Sequence, residues 1–203
     1  MTTTSLRRPL RRMTLLAAGF AAVLPSIPAS AEVETFVRFE ENATANWVVT
    51  QACPDGSTAQ TRVTVIAGRE FESPDMDDVN TFATVLIRGF DCEGNLINDR
   101  GSGPATYTSS PSLQDAHVSA TVPLRSGAVA TVDVTWEGTG GLQTTNNQTK
   151  FDGFVGQFTS RQRDAVATGT VAVDGVTLVS GPSLSAEIET LEDRNITLPA
   201  KGD

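Results

Sequence analysis

A single histidine, His117, limits the chemistry open to this 203-residue chain. It removes the two-histidine zinc motif and any multi-histidine metal site. His117 lies two residues before Ser119, and Asp133 falls in the next alternating run, so a Ser119–His117–Asp133 set can be drawn. That set, or a site built from loop residues, is the basis for reading the chain as a secreted hydrolase. Such chemistry needs a carboxylate that orients the imidazole, a strained elbow under the serine and backbone N–H groups for an oxyanion. The strand register derived below sets Asp133 opposite Ser119, away from His117, and so predicts a polar sheet face with no catalytic residue. Glu70, Glu72 and Glu137 supply carboxyl groups for glycoside hydrolysis, but nothing in their spacing sets the separation that reaction requires.

Asp75, Asp77 and Asp78, with Asp91, Glu93 or Asp99 as further donors, are hard oxygen ligands of the kind calcium takes. Val79 and Asn80 occupy the places of the fifth ligand and the invariant glycine of an EF-hand, so the run is expected to be a solvated acidic turn. No Gly-rich phosphate loop is present, and no cofactor is expected. Trp47, Trp136 and Tyr107 are the aromatic residues suited to stacking on a sugar. A carbohydrate-binding module would require Trp47 or Tyr107 to be exposed, because periodicity turns Trp136 inward. Cys53 and Cys92 each precede a turn, Pro54-Asp55-Gly56 and Glu93-Gly94-Asn95, and are expected to form a disulfide in an oxidising compartment.

That compartment is inferred from the amino terminus. Arg7, Arg8, Arg11 and Arg12 precede an apolar stretch from Met13 to Leu24, and Ala29-Ser30-Ala31 supplies small residues for processing. Residues 1–31 therefore read as a signal peptide cleaved after Ala31, too short in its apolar part to span a bilayer, with 32–203 as one domain. Arg11-Arg12 leaves the choice between general and twin-arginine export open. Cleavage removes four arginines and no acid, so the net charge moves from −9 to −13. A chain so acidic is a poor partner for nucleic acid and for anionic membrane surfaces. A secreted protein with a protein or glycan partner, and no membrane insertion after signal removal, is expected. Asn42, Asn147 and Asn195 begin Asn-X-Thr sequences. Leu198–Gly202 departs from a cell-wall sorting signal at Lys201.

The elements that must position these groups are strands. Ala116, Val118, Ala120, Val122 and Leu124 alternate along one run, and Ala128, Ala130, Val132, Val134 and Trp136 along the next. The three-residue loop Arg125-Ser126-Gly127 between them suits a bulged hairpin. Pairing Leu124 with Ala128 sets Val122 opposite Ala130, Ala120 opposite Val132, Val118 opposite Val134 and Ala116 opposite Trp136. A slip of one residue would turn an apolar set to water. Asp174-Gly175 signals a second hairpin, pairing Val173 with Val176 and Val171 with Leu178. Further strands are expected at 33–40, 46–53, 58–66, 81–87 and 151–160, with a last one through Leu184, Ala186 and Ile188. Residues 98–113 read as a long surface loop with one short strand, carrying Tyr107, and 138–150 as turns. Nine or ten short antiparallel strands without a helical stripe predict an all-β fold, here a β-sandwich of two packed sheets in preference to a closed barrel.

Ser119-Ala-Thr-Val-Pro123, Val134-Thr-Trp-Glu-Gly-Thr-Gly140 and the run from Phe158 to Thr170 resemble segments of a loose group of uncharacterised exported bacterial β-rich proteins. The resemblance covers about half of residues 32–203. It implies export and a β fold, and it transfers no functional residue. The combined reading is a secreted, non-catalytic binding, adhesion or surface-structural module, with a hydrolase and a carbohydrate-binding module as the alternatives.

Overall fold

The structure, a computed structural model, describes residues 34–73, 79–151 and 154–197. The expected signal peptide, the calcium candidates Asp75, Asp77 and Asp78, and Leu198–Gly202 lie outside the described residues. Ten antiparallel strands follow one another: β1 (Glu34–Ala52), β2 (Thr58–Glu72), β3 (Asn80–Phe90), β4 (Leu96–Ser109), β5 (Asp115–Pro123), β6 (Val129–Gly138), β7 (Gln143–Phe151), β8 (Phe154–Val173), β9 (Val176–Pro182) and β10 (Ser185–Thr197). The all-β antiparallel class and the strand number are as expected.

All ten strands belong to one sheet, where two packed sheets were expected. Neighbouring strands pair in chain order from β1 to β6. Next, β6 pairs with β8, β8 with β10, and β10 with β1, so the sheet closes on itself. Its ring contains β1 to β6, β8 and β10, a number of strands at which side chains alone can fill the interior. Closure leaves few unpaired edges. The interior is correspondingly small-bodied: Ala43, Ala45, Ala67, Ala83, Val63, Val65, Val85, Val118 and Val134 are all fully buried. Apolar residues face inward and threonine, arginine and glutamate outward, the reverse of a lipid-facing barrel. Among the described residues no helix is long and apolar enough to cross a membrane.

Long β8 explains the topology. Its second half pairs with β6 on one edge and β9 on the other, while its first half pairs with β7 and β10. β7 therefore continues the line of β6 beyond an interruption at 139–142, and β10 continues β9. The upper halves of β8, β10 and β1 rise past the ring as an extension with β7 at its margin. β7 is exposed along its whole length, which is why its Asn- and Thr-rich residues read as turns.

The central hairpin has the expected register, including Ala116 with Trp136 and Val122 with Ala130. Gly127 takes φ 93° in its turn, and the Leu124 N–H donates to the Ala128 carbonyl at 2.8 Å. In the second hairpin Val173 pairs with Val176, but a bulge at Val171/Ala172 sets Val171 opposite Val179 in place of Leu178. The segment expected as a surface loop is strand β4, with Tyr107 buried. Its glycines misled the reading. A Cβ at Gly101 would overlap the Pro123 carbonyl oxygen, so the glycine serves a close backbone approach and does not break the strand. The two expected strands at 33–40 and 46–53 are one, β1, because Glu41 and Ala43 continue its inward face through Asn42.

Cys53 and Cys92 form the expected disulfide, tying the β1–β2 turn to the β3–β4 turn across a sequence separation of 39. On the chain-entropy model such a loop contributes roughly 4 kcal/mol. Hydrogen bonds to Asn95, and to the Glu93 N–H, hold the Asp91 carboxyl below its ordinary value inside the second turn.

Candidate functional site

The proposed nucleophilic set falls on the outward face of β5 and β6. Ser119 is opposite Asp133 and His117 opposite Thr135, as the register requires. One detail of the sequence reading is corrected. Asp133 does not turn to Ser119; its Oδ1 reaches diagonally to His117 Nε2 at 3.4 Å. Diagonal neighbours in an antiparallel pair are within reach of a side chain as long as histidine. The pair is open to solvent, with the side chains 40% and 68% exposed, and such pairs contribute about 0–1 kcal/mol. The depression beside it, lined by Thr106, Ser119, Thr121, Thr131, Asp133 and Thr170, contains one ionisable group. Nothing there orients an imidazole onto Ser119. His117→Ala should accordingly leave stability within about 0.5 kcal/mol of the parent, as an exposed sheet-face substitution does. Urea denaturation checks this, and a loss above 1 kcal/mol would mean the pair has a structural role.

The three aromatics are not a platform. Trp47 is buried, and its Nε1–H donates to the Gly181 carbonyl at 3.1 Å, bridging β1 and β9. Trp136 is fully buried and donates to the Thr44 carbonyl at 3.0 Å. Tyr107 points inward from β4. The exposure that a sugar-stacking reading required of Trp47 or Tyr107 is absent. Glu70 and Glu72 on β2 and Glu137 on β6 are separated around the ring by β3, β4 and β5, so they form no carboxylate pair.

Polar groups converge instead at the mouth of the ring from which the extension rises. A cleft of about 200 Å³ opens there. Phe39 and Glu41 come from β1, Arg69 from β2, Thr159 and Arg161 from β8, and Thr190 and Glu192 from β10. The β4–β5 loop roofs it with Ser110, Pro111 and Leu113. The Ser110 hydroxyl accepts from the N–H groups of Gln114 and Asp115, which folds the loop back over the mouth. Leu113 takes φ 54°, rare for a branched residue, and is 1% exposed, so burial of its side chain offsets the backbone cost.

Glu41 is the buried charged residue in this floor, 2% exposed. Arg69 donates to its Oε2 from Nε at 2.9 Å and from Nη2 at 2.8 Å. The Tyr107 hydroxyl donates to Oε1 at 3.3 Å. Burial, then the charge of Glu41, raises the Tyr107 hydroxyl far above its ordinary value, so it remains a donor. Phe39 stacks on Phe71 with centroids 4.9 Å apart and gives the cleft an apolar wall. Glu192 is paired with Arg194 at 2.9 Å. Arg161 has no hydrogen-bond or ion-pair partner among the described residues, which leaves one guanidinium in the cleft uncompensated. Glu41 is saturated and Ser110 is committed to its turn, so the arrangement holds charge in place and offers no activated nucleophile. Sequence reasoning passed over this site. Its one signal was a glutamate at an inward position of β1 facing an arginine at an inward position of β2, legible only once their pairing is known.

No family model matches the chain, and no curated protein matches it. Among solved structures, a crystal structure from Nitrosomonas europaea described as an AttH matches at 15% identity with a TM-score of 0.23, covering 81% of this chain and 52% of that one. The chain thus spans about half the length of that structure, and a similarity at this level carries no argument about fold or activity. What the chain does rests on its own geometry.

Proposed function

We propose that the chain is a secreted, non-catalytic binding module, exported by residues 1–31, released by cleavage after Ala31, and seating a small anionic ligand in the cleft at the mouth of the ring. The observation that carries this reading is the contrast between two arginines in one cleft. Arg69 is neutralised by buried Glu41, whereas Arg161 faces the same space without a counter-charge. A guanidinium beside an apolar wall suits a carboxylate or phosphate attached to a short apolar body. About 200 Å³ admits only a small one. The open His117–Asp133 pair stands against the hydrolase reading, and the buried tryptophans against the sugar platform.

The test is a thermal melt of the secreted protein with millimolar butyrate, benzoate or inorganic phosphate, beside Arg161→Gln. A ligand that binds only the folded state raises the melting temperature. A rise in the parent that disappears in Arg161→Gln is expected. An unchanged melt with all three probes, or an equal rise in the variant, would reject the cleft as the seat. Mass analysis of the secreted form should find Glu32 at its start, and retention of Met1 would reject export by cleavage.

A further inference from the structure

Basic residues are scarce and unevenly distributed in this acidic chain. Four arginines stand together on the outward face of β2, β3, β4 and the β5–β6 turn, at the end of the ring opposite the cleft. Arg62 and Arg88 are directly opposite each other in the β2–β3 register. Arg100 is opposite Leu86 in the β3–β4 register, one diagonal step from Arg88, because Arg88 itself is opposite Asn98. The Arg125 N–H donates to the Arg100 carbonyl at 2.8 Å, which places the fourth arginine beside the third. All four are exposed, and none has an ion-pair partner among the described residues. Like charges directly opposite on a sheet face are destabilising. A protein with 24 acidic residues has carboxylates to spare for relieving this, yet it pairs Arg38, Arg69 and Arg194 and leaves these four without counter-charge.

The surface between the arginines is concave. A groove of about 430 Å³ runs over Arg62, Thr64, Leu86 and Arg88 to Phe90 and Leu96, which are 56% and 69% exposed. A second depression of about 300 Å³ lies over Thr84, Ser102, Arg100 and Arg125 on the same face. Adjacent strands are spaced about 4.8 Å apart, so the cations step across the face at roughly one per strand. The face is also rigid. Phe90 and Leu96 close the β3–β4 hairpin opposite each other, and Cys92 between them is bridged to Cys53. The Asp91 carboxylate in that turn accepts from Asn95 and Glu93 and forms no ion pair with the stripe.

We propose that this face binds an anionic polysaccharide laid diagonally across β2, β3 and β4, its carboxylate or sulfate groups held by Arg62, Arg88, Arg100 and Arg125. Three observations favour a glycan over other anions. Under Arg62 and Arg88, β2 and β3 are hydrogen-bonded on both edges and offer no free backbone for peptide strand addition, and beside Arg100 the edge of β4 is met by the Gly101–Leu124 bridge and the Arg125 N–H. Recognition must come from side chains, and Thr64, Thr84 and Ser102 place hydroxyls between the arginines. Phe90 adds an exposed ring at one end for contact with a sugar face. A net charge of −9, or −13 once residues 1–31 are removed, opposes the dense phosphate array of a nucleic acid and the broad anionic field of a membrane, whereas a narrow stripe still holds a chain carrying one charge per sugar. The site is separate from the cleft and does not depend on the reading given there.

The experiment is affinity electrophoresis and titration calorimetry of the intact disulfide-bonded protein with polygalacturonate and with iota-carrageenan, using dextran as the neutral control. The parent should bind at least one of the two acidic chains and not dextran. Binding should weaken as salt rises from 50 to 300 mM, since the contacts are between exposed charges. Arg62→Gln/Arg88→Gln should weaken it at least tenfold at 50 mM salt without lowering the melting temperature, since the substitution relieves a like-charge pair. A charge-matched Arg38→Gln/Arg194→Gln variant, altered away from the stripe, should bind like the parent. Absence of binding to both acidic polysaccharides at 50 mM salt overturns the proposal, as does equal weakening in the two variants. Tighter binding to single-stranded DNA or to phosphatidylglycerol vesicles than to either polysaccharide overturns it as well.

Discussion

Replacing Arg69 by methionine should destabilise the protein by about 3–5 kcal/mol, the range found when one partner of a buried ion pair is removed. The size follows from where each partner sits. The Glu41 side chain is 3% exposed and the Arg69 side chain 39%. Without Arg69 the carboxylate stays on the floor of the cleft with only the Tyr107 hydroxyl as a protein donor, and water entering from the cleft returns only part of the two lost charge-assisted bonds. Glu41→Leu should cost less, because the arginine it strands can turn to solvent. Glu41→Leu/Arg69→Met should recover most of the loss, since an apolar pair of similar volume leaves nothing unsatisfied. For a domain of this size each kcal/mol moves the melting temperature by roughly 2–4 °C. Thermal melts of the three variants should therefore separate clearly. If Arg69→Met melts with the parent, Glu41 is not held by the arginine and the account of the cleft floor is wrong. The double variant also isolates the binding role. Should it fold and still respond to the same small anion, Arg161 alone carries recognition.

This pair marks the boundary of what the sequence discloses. Two-residue alternation is a local property, so the Ala116–Trp136 hairpin and its register could be read directly: a slip would have put Val118 or Val134 in water. The disulfide was legible for a similar reason, two cysteines each beside a turn. Closure of the sheet was not. Whether β10 pairs with β1 is decided by residues more than 130 apart, and alternation is the same in a sandwich strand and a barrel strand. Strand β4 was missed because glycine, serine and threonine signal loops when read alone. Beside Pro123 a glycine at 101 is what allows the backbones to pass. The Glu41–Arg69 site and the arginine stripe share this character. Each is made by cross-strand neighbours that lie far apart in the chain and carry no motif along it. The acidic total obscured the stripe further, since a net charge says nothing of where the few cations gather.

Trp136→Ala should be the most damaging substitution in the interior, costing about 3–5 kcal/mol for a buried large-to-small change. Most interior positions carry alanine or valine, so the ring is filled by a few large side chains reaching across it. Trp136 is the largest that is fully buried. It extends from β6 to the far wall, where its Nε1–H donates to the Thr44 carbonyl of β1, 92 residues away. Truncation opens a cavity that the surrounding backbone cannot collapse to fill, because every flanking strand is held by its ladder. It also removes the hydrogen bond to the Thr44 carbonyl. Trp136→Phe separates these contributions. It retains most of the volume and removes the N–H, so it should cost about 1–2 kcal/mol, from one lost hydrogen bond and the smaller ring. Urea denaturation of both variants checks the order. A Phe variant as unstable as the Ala variant would assign the stabilisation to the hydrogen bond and not to filling. An Ala variant within 1 kcal/mol of the parent would mean that the ring is not closed around Trp136 at all.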